Sequence, residues 1–168
     1  MESFKRVLIL CVDRDDDIGV KTGIKTPIVG RDVNVRAASE LAVEDPEEAD
    51  ANSMFAAVKL YDTLSERGGG ELYEVATIAG SKNGGVEADR KILRELSEVL
   101  ERFPADGVIM VSDGYADERI IPIIQSKVPV ISVRHVVVRH SESVEETWAV
   151  LSRYLKLMVE NKRYARLV

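Results

Sequence analysis

The architecture of this chain follows from Val7-Leu8-Ile9-Leu10-Cys11-Val12-Asp13-Arg14-Asp15-Asp16-Asp17-Ile18-Gly19, near the amino terminus. The unbroken apolar run from Val7 to Val12 is typical of a strand that is buried on both faces, as strands of parallel sheets are. Four aspartates follow within the next five positions. Open α/β sheets bind ligands beyond the carboxyl ends of their strands. The pattern therefore predicts a site directly after Val12.

The length and bulk composition, with 45% hydrophobic and 31% charged residues, indicate one soluble globular domain over residues 1–168; the order of strands and helices described next predicts that it is an α/β domain. The net charge of −6 argues against general binding of nucleic acid or anionic lipid. Cys11 is the single cysteine, which excludes an intramolecular disulfide and a thiolate metal cluster. No apolar segment approaches the roughly 20 residues of a membrane span, and the first apolar run is too short for a signal peptide. We therefore expect a cytoplasmic chain.

Four strands alternate with helices along the sequence, which predicts a mostly parallel sheet covered on both faces, in three layers. By analogy with flavodoxin-like and other Rossmann-like folds, we expect the strand order 2-1-3-4. Residues 13–31 show neither a helical nor a strand period and are predicted to form a long loop, a feature that is usually functional. The predicted strands are Phe4–Val12, Leu72–Ala79, Gly107–Val111 and Val130–Val138.

In a sheet of this order the loops after the first and third strands diverge and open a crevice. Both loops are acidic, at 13–17 and at 113–118. Carboxylates with water, and often a phosphate, suit Mg²⁺ or Mn²⁺, so Asp13, Asp113 and Asp117 are the candidate metal ligands. Asp15, Asp16 and Asp17 are expected to cap a helix or to face solvent.

Ion pairing within the first loop is the alternative to a metal. Between Asp13 and Arg31 the chain holds four acids and four bases and is neutral overall. A cation is therefore permitted there, but it is not required.

A phosphate-bearing ligand is the second candidate for this edge of the sheet. The glycine-rich segment 80–85 leads into a predicted helix, and helix starts bind anions. It matches neither common phosphate-binding motif, so a simple turn is the alternative. His140 is expected to be an ordinary surface histidine, and His135 to be packed or hydrogen-bonded in its strand. The candidate anion ligands are Lys21, Thr22, Lys25, Thr26, Gly80, Lys82 and Gly84.

Several motifs together resemble an archaeal family of uncharacterised proteins, labelled a domain of unknown function or a predicted membrane protein. They are Cys-Val-Asp-Arg-Asp-Asp-Asp-Ile-Gly at 11–19, Lys-Thr-Pro-Ile-Val-Gly-Arg at 25–31, Phe-Ala-Ala-Val-Lys at 55–59, Val-Ser-Asp-Gly at 111–114 and Pro-Ile-Ile-Gln-Ser at 122–126. The resemblance implies no assigned chemistry. It implies that longer members carry transmembrane helices after a soluble amino-terminal domain. The basic end of this chain, with Lys162, Arg163 and Arg166, would suit the cytoplasmic flank of such a helix or simply complement a helix dipole.

Two functional hypotheses follow. The first is a cytosolic sensor or regulatory module that binds a small anionic ligand at the carboxyl edge of the sheet, on the cytoplasmic face of the membrane if it belongs to a longer membrane protein. The alternative is a divalent-metal-dependent enzyme that processes phosphoesters or nucleotides with Asp13 and Asp113.

Overall fold

The computed structural model describes the backbone of residues 3–137 and 143–160, and the side chains of residues 3–137 and 149–157. The chain divides into two compact units, residues 1–137 and residues 138–168. Among the described residues, the first unit contains the sheet and its covering helices, and the second contains one helix. A single domain over 1–168 therefore stays a prediction. His140 and the basic end of the chain lie outside the described residues.

The described residues form five strands and six helices. The strands are β1 (Arg6–Asp13), β2 (Ile28–Val29), β3 (Leu72–Ala79), β4 (Gly107–Ser112) and β5 (Val130–His135). The helices are α1 (Asp17–Thr22), α2 (Arg31–Glu44), α3 (Ala49–Arg67), α4 (Gly85–Arg102), α5 (Asp117–Gln125) and α6 (Ser143–Glu160).

The strands form one sheet in the order β2-β3-β1-β4-β5. The pairs β3–β1, β1–β4 and β4–β5 are parallel, whereas β2 is antiparallel to β3. The predicted α/β class and mostly parallel sheet are confirmed. The predicted count of four strands is wrong, because β2 adds a fifth strand at the edge and changes the full order from 2-1-3-4. The four parallel strands follow one another as β3-β1-β4-β5.

The segment 13–31 is not a continuous loop, which corrects the sequence-based expectation. It contains α1, which follows a left-handed Asp16 whose carboxylate accepts the N–H of Gly19. Gly23, at φ 74°, ends this helix, in the conformation that glycine adopts readily. Six residues of helix are too few for a hydrophobic period to be read from the sequence.

The short strand β2 depends on a buried side chain from α2. Asn34 is 0% exposed, and its amide donates hydrogen bonds to the carbonyls of Ile28 and Gly30. Its amide oxygen accepts the hydroxyl of Thr77 on β3. Two backbone carbonyls and one hydroxyl thereby obtain hydrogen-bond partners, which holds β2 against the sheet.

Alternate residues of β1 face two separate hydrophobic clusters, as expected for a strand covered on both sides. Leu8 and Leu10 pack in the cluster that includes residues of α4 and α5. Ile9 and Cys11 pack in the cluster that includes residues of α2 and α3. Asp13 continues the second set, so its side chain projects on the same face as α3. Among the described helices, none is both long enough and apolar enough to cross a membrane.

Candidate functional site

A small acidic cavity of about 80 Å³ lies at the carboxyl ends of β1 and β4. We call it the acidic cavity. Its walls come from the end of β1, the start of α3 and the loop after β4, and only one of its charged side chains is basic. The residues that line it are Val12, Asp13, Arg14, Asp15, Asp17, Glu48, Asp50, Asp113 and Tyr115.

Asp13 occupies the buried end of this cavity, where it is 2% exposed. Its carboxylate accepts the N–H groups of Asp17 and Ile18 at 3.1 and 2.9 Å. These bonds satisfy two unpaired donors at the start of α1, as a capping side chain does. Burial nevertheless raises the pKa of Asp13 to about 6, because the two hydrogen bonds offset only part of the cost of removing the charge from water.

Asp50 approaches from the first turn of α3 and completes a group of three carboxylates. One oxygen from each of Asp13, Asp17 and Asp50 lies within 4.8 Å of the others. Burial, followed by the negative charge of Asp13, raises the pKa of Asp50 to about 9. Glu48, Asp113 and Asp17 raise it further. Asp50 therefore holds a proton at neutral pH unless a cation replaces that proton.

The basic groups near the acidic cavity neutralise only part of it. Lys21 forms ion pairs with Asp45 and Glu48 and lies 3.7 Å from Asp17. Arg14 donates to Asp89 at 3.1 Å. Within residues 3–137, the carboxylates of Asp13, Asp50 and Asp113 make no ion pair.

Asp113 lines the same cavity as Asp13, although a hundred residues separate them in sequence. The two strands that they follow are paired neighbours, with Val7 opposite Gly107 and Leu10 opposite Met110. Asp113 is exposed and accepts the N–H of Tyr115 at 2.8 Å. It therefore lies at the rim of the cavity, whereas Asp13 lies at its base.

Asp117, the third predicted metal ligand, does not line the acidic cavity. It is buried and accepts the Ser112 hydroxyl at 2.5 Å. Its other oxygen lies 2.9 Å from Nε2 of His135. The serine thus donates to a carboxylate and not to an imidazole, which is not the arrangement of an acyl-transfer triad.

The predicted anion ligands fall into separate places. Lys25, Thr26, Gly80 and Lys82 line a larger cleft, about 660 Å³ in volume, along one face of α4; we call it the α4 cleft. Lys21 and Thr22 line a different depression, which includes residues of α2. Gly84, at φ 63°, precedes the first residue of α4.

Close approach of two backbones requires the glycine at position 80. A Cβ at Gly80 would lie 2.2 Å from the carbonyl oxygen of Arg14. The Gly80 N–H donates to the carbonyl of Asp13 at 2.8 Å. The turn after β3 is thereby held against the end of β1, and Gly80 itself lines the α4 cleft.

Sequence reasoning missed Asp50 as a member of the cluster, and it assigned Asp17, the third member, to a capping or solvent-facing role. The available signal was topological: a helix that precedes a parallel strand runs antiparallel to it, so its amino-terminal turn lies at the carboxyl edge of the sheet. Acids in the first turn of α3 were therefore candidates for the same edge as Asp13. Because acids in a first helical turn ordinarily complement the helix dipole, a role at the sheet edge was not predicted for them.

The fold and the cavity together define an α/β domain that gathers carboxylates at the carboxyl edge of a parallel sheet. The family model described as a domain of unknown function (DUF373) matches residues 6–168, and the chain belongs to this family. An uncharacterised protein of Archaeoglobus fulgidus is 45% identical over 148 residues, which are 88% of this chain and 42% of that protein. An uncharacterised protein of Methanocaldococcus jannaschii is 36% identical over 162 residues, which are 95% of this chain and 43% of that protein.

The chain thus spans less than half the length of these archaeal relatives. Their names state no activity, and they do not support the membrane-protein part of the family resemblance. No solved structure matches the chain significantly.

Proposed function

We propose that this domain binds a divalent cation of the Mg²⁺ or Mn²⁺ class in the acidic cavity, with Asp13, Asp17 and Asp50 as ligands and Asp113 at the rim. The observation that carries the proposal is the convergence of three carboxylate oxygens to within 4.8 Å of one another. Two negative charges about 4 Å apart repel by roughly 4 kcal/mol at an effective dielectric constant near 20. A hard cation with oxygen ligands replaces that repulsion with attraction.

Protons compete with the cation for this cavity. Because the pKa of Asp50 is raised to about 9, the cation displaces a proton from the cluster at pH 7. We therefore expect binding to release about one proton and to weaken as the pH falls.

Titration calorimetry with MnCl₂ and MgCl₂ tests the proposal. Performed at pH 7 in two buffers of different ionisation enthalpy, it measures both the affinity and the number of protons released. We expect saturable binding and an increase in Tm, since a cation at about 100 times its Kd adds about 2.7 kcal/mol to the free energy of unfolding. Asp13→Asn and Asp50→Asn should each weaken binding at least tenfold.

Glu66→Gln provides the matched control, because Glu66 is an exposed acid on the same helix as Asp50. This variant should bind the cation as the wild type does. Absence of both heat and thermal shift in the wild-type protein at millimolar Mn²⁺ and Mg²⁺ would refute the proposal. Unchanged affinity in Asp50→Asn would refute the assignment of its ligands.

We propose further that cation binding serves a regulatory role within a longer protein. The support is the length of the archaeal relatives, of which this chain covers 42% and 43%. In this proposal, cation binding to the domain alters the activity of the other segments of the longer protein. The cytoplasmic location and a membrane-spanning partner segment remain predictions within this proposal.

Metal-dependent hydrolysis of phosphoesters is the second candidate role, favoured by the position of Asp113 at the open rim of the cavity. It would use a cation held by Asp13 to activate water or a phosphate oxygen. Hydrolysis of bis(p-nitrophenyl) phosphate or ATP with Mn²⁺, lost in Asp113→Asn, would support this role. Cation binding without turnover of either substrate would support the regulatory role.

A further inference from the structure

We infer that the domain has a second binding site, the α4 cleft, which takes a phosphorylated organic anion of nucleotide size. Its volume of about 660 Å³ lies in the range of roughly 300–1,000 Å³ that small-molecule sites occupy. The walls are the segment 16–26, the turn after β3 and one face of α4. This inference does not depend on the proposed cation site.

Three cationic side chains line the α4 cleft and are free to bind an anion. Lys25 and Lys82 come from the two loops, and Arg94 comes from α4. Within residues 3–137 and 149–157, none of the three makes an ion pair. All three are exposed. Arginine and lysine side chains in such a position form strong charge-assisted hydrogen bonds with phosphate.

Four acids also line the α4 cleft, and two of them form ion pairs with Lys91. Lys91 lies 3.7 Å from both Asp16 and Glu95. Glu95 is buried and accepts the N–H of Ala79 at 2.7 Å and the hydroxyl of Thr26 at 2.6 Å. These contacts satisfy the buried carboxylate. Glu87 accepts the Ser81 hydroxyl at 3.1 Å, and among the described residues neither Glu87 nor Glu98 makes an ion pair. The charges of the lining that lack an ionic partner are therefore three positive and two negative, which leaves a small net positive charge.

The α4 cleft also has an apolar wall. Val20 and Ile24 line it, and Val20 is 59% exposed. An exposed valine on the wall of a cavity provides a surface for the organic part of a ligand. The combination of cations and an apolar wall therefore favours a phosphorylated organic molecule over inorganic phosphate.

The helix α1 and its flanking residues separate this cleft from the acidic cavity. Asp16 and Val20 line the α4 cleft, whereas Asp15 and Asp17 line the acidic cavity. The two sites can therefore be tested independently, because a chelator removes divalent cations without affecting contacts between a phosphate and a lysine.

Titration calorimetry of the full chain in EDTA, with ATP, ADP, AMP and inorganic tripolyphosphate as probes, tests the inference. We expect saturable binding of ATP that is at least fivefold tighter than that of tripolyphosphate. Lys82→Ala and Arg94→Ala should each weaken ATP binding at least tenfold. Lys127→Ala, at an exposed lysine outside the cleft, should leave the affinity unchanged.

Each contrary result identifies a different error. If none of the four probes binds at millimolar concentration, there is no such site. Equal affinity for ATP and tripolyphosphate would overturn the organic class of the ligand. Unchanged affinity in both Lys82→Ala and Arg94→Ala, with folding verified by circular dichroism, would overturn its location. Failure of the cation proposal alone would leave ATP binding in EDTA intact.

Discussion

Removal of the charge at Asp50 should change how the stability of the protein depends on pH. Burial and the neighbouring acids raise the pKa of Asp50 to about 9 in the folded state, against about 3.9 in an unfolded chain. Between these values the folded state holds one more proton than the unfolded state. The free energy of unfolding therefore falls as the pH rises through this interval. Asp50→Asn cannot titrate and lacks this contribution.

The magnitude follows from the proton balance. One extra proton in the folded state corresponds to a slope of about 1.4 kcal/mol per pH unit, which sets an upper limit of about 4 kcal/mol between pH 5 and pH 8. Asp50 is only partly buried, and solvent screening reduces the effect. We therefore expect the wild-type protein to lose about 1–2 kcal/mol more than Asp50→Asn over this range.

Urea unfolding at pH 5 and pH 8, in EDTA, measures the difference. Asp50→Asn should be close to the wild type in stability at pH 5, where the wild-type carboxyl is protonated, and more stable than the wild type at pH 8. Glu66→Gln, at an exposed acid of the same helix, should follow the pH dependence of the wild type. Parallel pH profiles for the wild type and Asp50→Asn would refute the assignment of a raised pKa to Asp50.

Three further substitutions test the fold. Leu10→Ala removes a side chain that is 0% exposed at the centre of the sheet and should cost about 2–5 kcal/mol in urea unfolding; a loss under about 1 kcal/mol would contradict its place in the core. Asn34→Ala removes the acceptor of the Thr77 hydroxyl and should lower the free energy of unfolding by about 1–3 kcal/mol. An unchanged free energy of unfolding would show that this hydrogen bond does not stabilise the fold. Gly80→Ala places a Cβ 2.2 Å from the carbonyl oxygen of Arg14. Because overpacking costs about 1–3 kcal/mol, this substitution should lower Tm by several degrees. An unchanged Tm would show that the two backbones separate easily.

Much of the fold could be predicted from the sequence because its signals are local. The apolar run 7–12 and the other three parallel strands are continuous in sequence and strongly patterned. Parallel connectivity then restricts which loops can meet. On that basis the sequence predicted that Asp13 and Asp113 face one crevice, and both residues line the acidic cavity.

The elements that sequence reasoning missed are short or depend on distant partners. The two residues of β2 have no period of their own and are held by the buried side chain of Asn34. Likewise, α1 is only six residues long and has a capping side chain at Asp16 and a left-handed Gly23 at its ends. Neither element is stable without the surrounding structure, so neither could be identified from local pattern alone.

The amino-acid sequence by itself determined the α/β class, the buried first strand and the presence of acids at its carboxyl end, because hydrophobic periodicity and chain connectivity suffice for these features. Only the tertiary structure decided which acids gather in one cavity. Asp50 joins Asp13 and Asp17 because α3 begins at the same edge of the sheet, while Asp117 is turned toward Ser112 and His135. Which charges meet, and which pKa values shift, depends on distances between residues far apart in sequence, and packing alone sets those distances.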